Sequence, residues 1–245
     1  MEDGISVIVA SKNAKHDLMS TIESLENQTD KNFEFILIDG MSSDGTIDAA
    51  YQKINGFVTA PIIISEPDKG IYDAYNKGLR LASGAYICYL GCGDKLLPRS
   101  IETVRGVMAH TPNSDVYYGI VKRYDEKGAF TIYSSSPENL LNCSMIPHQA
   151  CFVKKETYLK YGGFSLDYVV ASDFAAMLQI YLNKGSFVFI DKILAEFKMG
   201  GISTRNSDGY YECIRILREK GCISNNEYRK KRNKKYLRDF AAKIF

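Results

Sequence analysis

Residues 65–94 read SEPDKGIYDAYNKGLRLASGAYICYLGCGD. Ile71, Ala74, Tyr75, Gly78, Leu79 and Ala82 recur at helical spacing, and Ser83-Gly84 ends the helix they predict. Residues 85–90 follow as a short apolar run, the pattern of a buried strand. That run passes directly into Gly91-Cys92-Gly93-Asp94. A buried strand ending in glycines and one carboxylate sets the carboxylate at the mouth of a sheet, with backbone room for a ligand beside it. Taken alone, Asp94 reads equally well as a solvated acid at an ordinary strand–loop junction.

Upstream, the same alternation is already running. Residues 5–10 form an apolar run that ends at Ser11-Lys12-Asn13, and Leu18, Ile22 and Leu25 then mark one helix face. Residues 33–38 give a second buried strand ending at Asp39-Gly40; Ser42-Ser43-Asp44-Gly45-Thr46 signals a turn and helix start, with Ile47, Ala50, Tyr51 and Ile54 continuing it. Residues 61–64 are a third, short strand ending at Ser65-Glu66. Four strand–helix alternations in about 95 residues predict a parallel sheet with helices on both faces. The strands end at Ser11, Asp39, Glu66 and Asp94, along the edge where parallel sheets bind ligands. Neither G-x-G-x-x-G nor G-x-x-x-x-G-K-[ST] follows the first strand, so a glycine cradle for phosphate is absent. Carboxylates can instead hydrogen-bond a base or ribose, or hold a hard divalent cation against a diphosphate.

Beyond Asp94 the alternation fades. Pro98 opens a helix through Ile101, Val104 and Met108; residues 116–123 and 129–133 read as a hairpin; residues 150–153 are a short strand after Met145-Ile146-Pro147-His148-Gln149. Gly162-Gly163-Phe164 breaks the chain, and Met177, Leu178 and Tyr181 mark a helix after Asp173. Residues 187–190 and 194–197 read as two short strands, and Gly200-Gly201-Ile202-Ser203 as a flexible turn. Without repeats or low-complexity linkers, residues 1–210 read as one domain, with 1–95 and 96–210 as its halves, and 211–245 as a basic helical tail.

With 45% hydrophobic and 24% charged residues, the 245-residue chain has the composition of an ordinary globular protein. Its net charge of +2 is unevenly spread: in residues 215–245 eleven Lys/Arg face only Glu219, Glu227 and Asp239, leaving that segment at +8 and the rest at −6. Such a tail suits an anionic partner. No apolar run approaches a spanning helix, and the acidic start lacks signal-peptide character. None of the six cysteines forms a C-x-x-C pair or stands at metal-ligand spacing from a histidine, so inert thiols in a reducing cytosol are expected.

The pieces also occur in a recognisable order: residues 6–11 (SVIVAS), 36–46 (ILIDGMSSDGT), 67–78 (PDKGIYDAYNKG), Ser83-Gly84 and 90–94. His148-Gln149, Gly162-Gly163-Phe164, Ala171-Ser172-Asp173-Phe174 and Gly200-Gly201-Ile202-Ser203 continue it. This ordered set, spanning about residues 5–203, resembles the family 2 glycosyltransferases. The resemblance implies a GT-A (Rossmann-like) α/β fold: a mixed, mainly parallel sheet flanked by helices. It implies transfer of a sugar, with inversion, from a nucleotide diphosphate-sugar to an acceptor hydroxyl. By position, Ser11 and Asp39 would hold a uridine-type nucleotide, and Asp68 and Lys69 would line the same pocket. Asp94 would be the last carboxylate of the metal-binding D-x-D-like motif, Asp173 the general base, and His148 a contact to the diphosphate or acceptor.

The chain departs from that pattern twice. Gly91, Cys92 and Gly93 leave Asp94 without a second acid, so Mg²⁺ or Mn²⁺ would depend on one carboxylate plus diphosphate oxygens and water. Cys92 is a packed thiol or a soft ligand, and hard cations select oxygen. Ser172 replaces the usual Glu of the Glu-Asp pair. From the residues alone Asp173 reads first as a helix N-cap, His148 as a structural histidine, and Tyr72 and Asp73 as the first turn of a helix. The rival readings are a non-catalytic nucleotide-sugar binding module and a nucleotidyltransferase of similar fold, whose Gly-rich basic loop after the first strand is absent here. In the tail, Tyr236, Leu237, Phe240, Ala241, Ile244 and Phe245 share one helical face amid Lys and Arg, suited to an anionic membrane surface. The family's lipid-linked acceptors in cell-envelope glycan assembly imply a cytoplasmic enzyme attached peripherally to the inner face of the membrane. Nucleic acid is not expected, since no aromatic stacking platform accompanies the charge.

Overall fold

The computed structural model describes residues 4–125, 127–200 and 207–244. The strands are β1 (Ile5–Ser11), β2 (Glu34–Asp39), β3 (Ile62–Ser65), β4 (Tyr86–Gly91), β5 (Lys95–Leu96), β6 (Val116–Tyr124), β7 (Phe130–Tyr133), β8 (Cys151–Lys154) and β9 (Phe187–Lys198). The helices are α1 (Lys15–Glu26), α2 (Thr46–Lys53), α3 (Ile71–Leu81), α4 (Ser100–His110), α5 (Lys155–Lys160), α6 (Ser172–Leu182), α7 (Asp208–Glu219) and α8 (Asn225–Ile244).

One sheet runs β3-β2-β1-β4-β8-β6-β9-β5, with β7 paired to β6. The first four strands are parallel, as their buried runs predict. Alternate side chains explain why those runs are apolar throughout. Ile8, Ile36, Ile87 and Tyr89 enter the core under α3, α6 and α7, whereas Val7, Val9, Leu37 and Leu90 enter the one under α1, α2 and α4. The chain moves outward from β1 to β2 and β3, then returns to place β4 on the other side of β1. That reversal leaves a crevice at the carboxyl ends of β1 and β4, where Ser11 and the Gly91–Asp94 loop stand.

The second half is mixed. β8 lies antiparallel between β4 and β6, while β9 runs parallel to β6. Residues 187–198 form one twelve-residue strand rather than the two short strands expected from the exposed pair Asp191-Lys192. Register shifts between Tyr118 and Val121 let β9 carry extra residues without leaving the ladder. A Cβ on Gly119 would lie 2.6 Å from Leu194, so glycine is what lets the irregular strands meet.

Two close approaches set the site helices. Gly78 presses α3 onto β1, since a Cβ there would fall 2.4 Å from Ile8 Cγ2. Before α6, the Glu212 carboxylate of α7 accepts the amides of Val169, Val170 and Ala171 at 2.8–2.9 Å. The tail boundary expected at 210/211 falls inside α7, whose Ile214, Ile216 and Leu217 are buried. α8 opens with a reciprocal cap: Ser224 and Glu227 each accept the other's amide, at 2.8 and 3.2 Å. Gly201, Ile202 and Ser203 of the expected turn lie outside the described residues.

Candidate active site

Strand register builds the first part of the site. Ser11 pairs with Asp39, and Asp39 with Ser65, across β1, β2 and β3. Asp39 is fully buried, and its two carboxylate oxygens accept Ser11 Oγ at 2.7 Å, Ser42 Oγ at 2.5 Å, Ser42 N at 2.8 Å and Ser65 Oγ at 2.8 Å. Burial works against its charge, but the Ser42, Ser11 and Ser65 donors outweigh it and hold the carboxyl below its ordinary range. Asp39 therefore organises the loop after β2 as an anion. Asp68 sits over that loop: a Cβ on Gly40 would lie 2.3 Å from Asp68 Oδ2 and 3.2 Å from Lys12 Cδ. Asp68 also accepts the Gly70 amide at 2.9 Å, turning the chain into α3. Lys69 stands exposed on this loop, its amide bonded to Asp73 at 3.1 Å.

The second part is the β4 loop. Gly93 has φ +92°, a conformation glycine adopts without strain, and its amide donates to Thr21 Oγ1 of α1 at 2.9 Å. Thr21 Oγ1 is also 2.8 Å from the Asp94 carbonyl. Asp94 is 5% exposed, and the Gly91 amide lies 3.1 Å from Oδ2. Burial pushes its carboxyl up to about 7, while the amides of Gly91 and Lys198 and the Gln149 side chain oppose the shift and Asp17 adds to it. No cationic side chain compensates a charge on Asp94 in this set. Cys92 donates its thiol to the Ala10 carbonyl at 3.2 Å, and burial raises its pKa, with Asp94 adding to the effect. It is a packed thiol.

α3, α6 and the loop before β8 complete the site. The Tyr72 hydroxyl lies 2.7 Å from the Val170 carbonyl and 3.0 Å from Asp173 Oδ1, and donates its one proton to one of them. Asp173 lies in the first turn of α6, with Ala171 at the N-cap, so the helix-cap alternative does not describe it. His148 is buried, stacked on Tyr89 at 5.6 Å, with Nε2 3.2 Å from the Tyr158 hydroxyl. Burial lowers its pKa against the pull of Asp173, so the ring is neutral near pH 7 and contributes no cation. Behind these groups Phe164 packs on Tyr72, Tyr75, Tyr89, His148 and Tyr158, with ring centroids 5.1–5.8 Å apart. Asn76 holds it by both backbone groups, at 2.7 and 2.9 Å. The Gly162-Gly163-Phe164 break thus supports the site from behind.

A cleft of about 380 Å³ brings Asp94, His148 and Asp173 together with Lys12, Tyr72 and Lys198. A second cavity, also about 380 Å³, meets it along His148, Gln149, Val170, Asp173 and Phe197. Asp173 thus borders both spaces. Ser11, Asp39, Asp68 and Lys69 lie on the neighbouring strand ends and loops. Tyr72, Gln149, Lys198 and Glu212 are the contributors that spacing alone did not single out for these roles. Tyr72→Phe removes one hydrogen bond near Asp173 while keeping the ring; we expect stability within about 1 kcal/mol and turnover lowered by roughly tenfold or less. Turnover unchanged within experimental scatter would remove the hydroxyl from the site's workings.

Against this geometry, residues 6–177 match the family model described as Glycosyl transferase family 2. The chain belongs to glycosyltransferase family 2. This glycosyltransferase is 30% identical over 207 residues to a PGL/p-HBAD biosynthesis glycosyltransferase of Mycobacterium bovis, covering 81% of this chain and 78% of that one. It is 29% identical over 191 residues to an uncharacterized glycosyltransferase of Haemophilus influenzae, covering 75% and 63%. Among solved structures it resembles S. aureus TarS 1-349 in complex with UDP-GlcNAc, with TM-score 0.72 and 17% identity over 93% of this chain and 69% of that one. It also resembles the mannosyltransferase PcManGT of Pyrobaculum calidifontis, in complex with GDP-Man and Mn²⁺, with TM-score 0.63 and 14% identity over 90% and 65%. These likenesses establish the GT-A fold of the glycosyltransferase. Among its described residues no helix is long and apolar enough to cross a membrane, and no group of three or more His, Cys, Asp or Glu side chains is disposed to hold a metal.

Proposed function

We propose that the protein is an inverting glycosyltransferase that moves a sugar from a nucleotide diphosphate-sugar, a UDP-sugar, to a hydroxyl of a glycan or lipid-linked acceptor in cell-envelope glycan synthesis. The observation that carries this reading is Asp173 standing on the border between two cavities, one of which holds the buried Asp94 at the β1/β4 crevice. The cleft with Asp94 takes the donor, and the second cavity takes the acceptor. The co-complexes of TarS with UDP-GlcNAc and of PcManGT with GDP-Man support a nucleotide-sugar donor.

The acceptor oxygen attacks the anomeric carbon from the Asp173 side as the bond to the diphosphate oxygen breaks, so configuration inverts in one displacement. Asp173 takes the hydroxyl proton, and Tyr72 orients its Oδ1 from α3. Ser11 and Asp39, with Asp68 and Lys69 beside them, form the nucleoside end of the donor pocket. Lys12 supplies positive charge to the cleft where the diphosphate lies; Lys198 lines it too, with its Nζ paired to Asp17 at 2.7 Å. His148 serves there as a neutral hydrogen-bonding group. Asp94, buried with no cationic side chain paired to it among the described residues, would hold a divalent metal. Mg²⁺ or Mn²⁺ held there would neutralise charge gathering on the leaving group. We further divide the chain into a donor half (1–95), an acceptor half (96–210) and a basic tail (211–245) that begins within α7 and shares the core through Ile216 and Leu217.

The deciding experiment screens UDP- and GDP-sugars for binding and for donor hydrolysis, with and without Mn²⁺. A UDP-sugar should bind and turn over; binding without turnover under any acceptor condition would favour the binding-module reading. For α8, the exposed Tyr236 and Leu237 among Arg229 and Arg232 support peripheral attachment to an anionic membrane. The full chain should float with anionic vesicles at low salt, and Tyr236→Ser with Leu237→Ser should abolish at least half of that flotation. Equal flotation of the two proteins would exclude α8 as the attachment.

A further inference from the structure

The second cavity passes from Asp173 and His148 to Tyr210 and Lys235, and there it adjoins a groove lined by Lys231, Lys234 and Arg238. These four cationic residues recur at i, i+3, i+4 and i+7, so α8 turns one basic face onto the groove. Lys235 pairs with Asp239 at 2.6 Å, whereas Lys231, Lys234 and Arg238 make no ion pair among the described residues. Deeper in, β6 places Arg123 in the cavity wall. Its Nε is buried without a hydrogen-bond partner among the described residues, and its guanidinium lies 3.2 Å over the Tyr133 ring. Burial lowers its pKa, with the Tyr133 hydroxyl opposing the shift. Met145, Phe197 and Met199 make other parts of the wall apolar.

We propose that the second cavity binds an acceptor that carries a phosphate, its apolar part lying against Met145, Phe197 and Met199 and its phosphate drawn to Arg123 and the basic face of α8. Guanidinium matches phosphate oxygens in a two-point contact, and burial against an aromatic face makes that contact worth more than one in water. Carboxylate could satisfy Arg123, but a single negative charge would leave the lysine- and arginine-lined groove uncompensated. The assignment rests on the glycosyl-transfer reading, which supplies the donor and makes the second cavity the acceptor's.

Calorimetry on the full chain, with UDP saturating the donor cleft, tests it with three probes: glucose 1-phosphate, farnesyl diphosphate and octyl glucoside. Both phosphate-bearing probes should bind at least ~10-fold more tightly than neutral octyl glucoside, and Arg123→Met should erase at least ~10-fold of their affinity, as for a charge-assisted contact. Arg123→Lys should restore part of it. Farnesyl diphosphate binding ahead of glucose 1-phosphate supports a lipid-borne phosphate; the reverse order or equality supports a soluble or polymer-borne one. Octyl glucoside binding as tightly as the phosphate probes overturns the proposal, as does Arg123→Met retaining full affinity with native circular dichroism. If Arg123→Met does not fold, Lys234→Glu with Arg238→Glu on exposed positions of α8 reads the same question, and unchanged phosphate affinity there overturns it. Failure of UDP itself to bind would count against the donor reading, and the probe comparison then stands on its own.

Discussion

Asp173→Asn is expected to lower glycosyl transfer at least ~100-fold while leaving nucleotide-sugar affinity within about twofold, the effect of removing a general base. Asparagine keeps the shape of the side chain. Its carbonyl oxygen can still accept the Phe174 amide, now 2.8 Å from Asp173 Oδ1, and face the Tyr72 hydroxyl at 3.0 Å. The Glu212 clamp on Val169, Val170 and Ala171 acts on backbone alone, so the segment leading into α6 keeps its place. What the amide cannot do is take a proton from the acceptor hydroxyl. Calorimetry of the donor and a transfer assay on the same preparation separate the two effects. Transfer within threefold of wild type would remove Asp173 from the chemistry, and a matching loss of donor affinity would make it a binding group instead.

Much of the donor half was legible because its strands are buried on both faces. A run such as residues 5–10 has few other ways to be satisfied, and four such runs with polar ends predicted both the parallel sheet and the edge where Ser11, Asp39 and Asp94 stand. The later half was harder to read. β9 hides its continuity behind Asp191 and Lys192, two consecutive exposed charges at the register shift against β6, where the extra residues of an irregular ladder look in sequence like a turn. Glu212 gave no signal at all: it acts on backbone amides about forty residues upstream, and only the fold brings them together. Tyr72 sat visibly at the start of a helix, but its contact with Asp173 spans 101 positions. The family resemblance supplied Asp173's role; the residue's own surroundings in sequence favoured a helix cap.

The tail divides in the same way. Its charge was plain from composition, and its apolar stripe suggested a membrane. The spacing of Lys231, Lys234, Lys235 and Arg238 became meaningful only when α7 and α8 set that face beside Tyr210. Arg123 likewise looked like one more charge in a hairpin strand until its guanidinium appeared over Tyr133, inside the wall of a cavity that Asp173 borders.

Asp94→Asn should cost the enzyme its transfer activity yet make the metal-free protein more stable above pH 7. Asp94 is buried, and burial holds its carboxyl up at about 7 against the ordinary value of 3.8. The folded chain therefore keeps a proton that the unfolded chain has already released. That contribution to stability is full below about pH 3.8 and is lost as pH rises through about 7. At pH 8 the metal-free wild type carries a buried ionised carboxylate with no cationic side chain paired to it among the described residues, at a cost on the order of a few kcal/mol. Asparagine fills the same space without the charge, so at pH 8 in EDTA its Tm should exceed that of wild type by roughly 5–10 °C, and at pH 5 the gap should shrink. With Mn²⁺ and donor present the order should reverse: wild type gains stability by binding them, whereas the variant gains little and transfers at least ~100-fold more slowly. Thermal melts at pH 5 and pH 8, with EDTA or with Mn²⁺ plus UDP-sugar, read every arm. A variant less stable than wild type at pH 8 in EDTA would refute the uncompensated charge, and equal stimulation of both proteins by Mn²⁺ would take the metal away from Asp94.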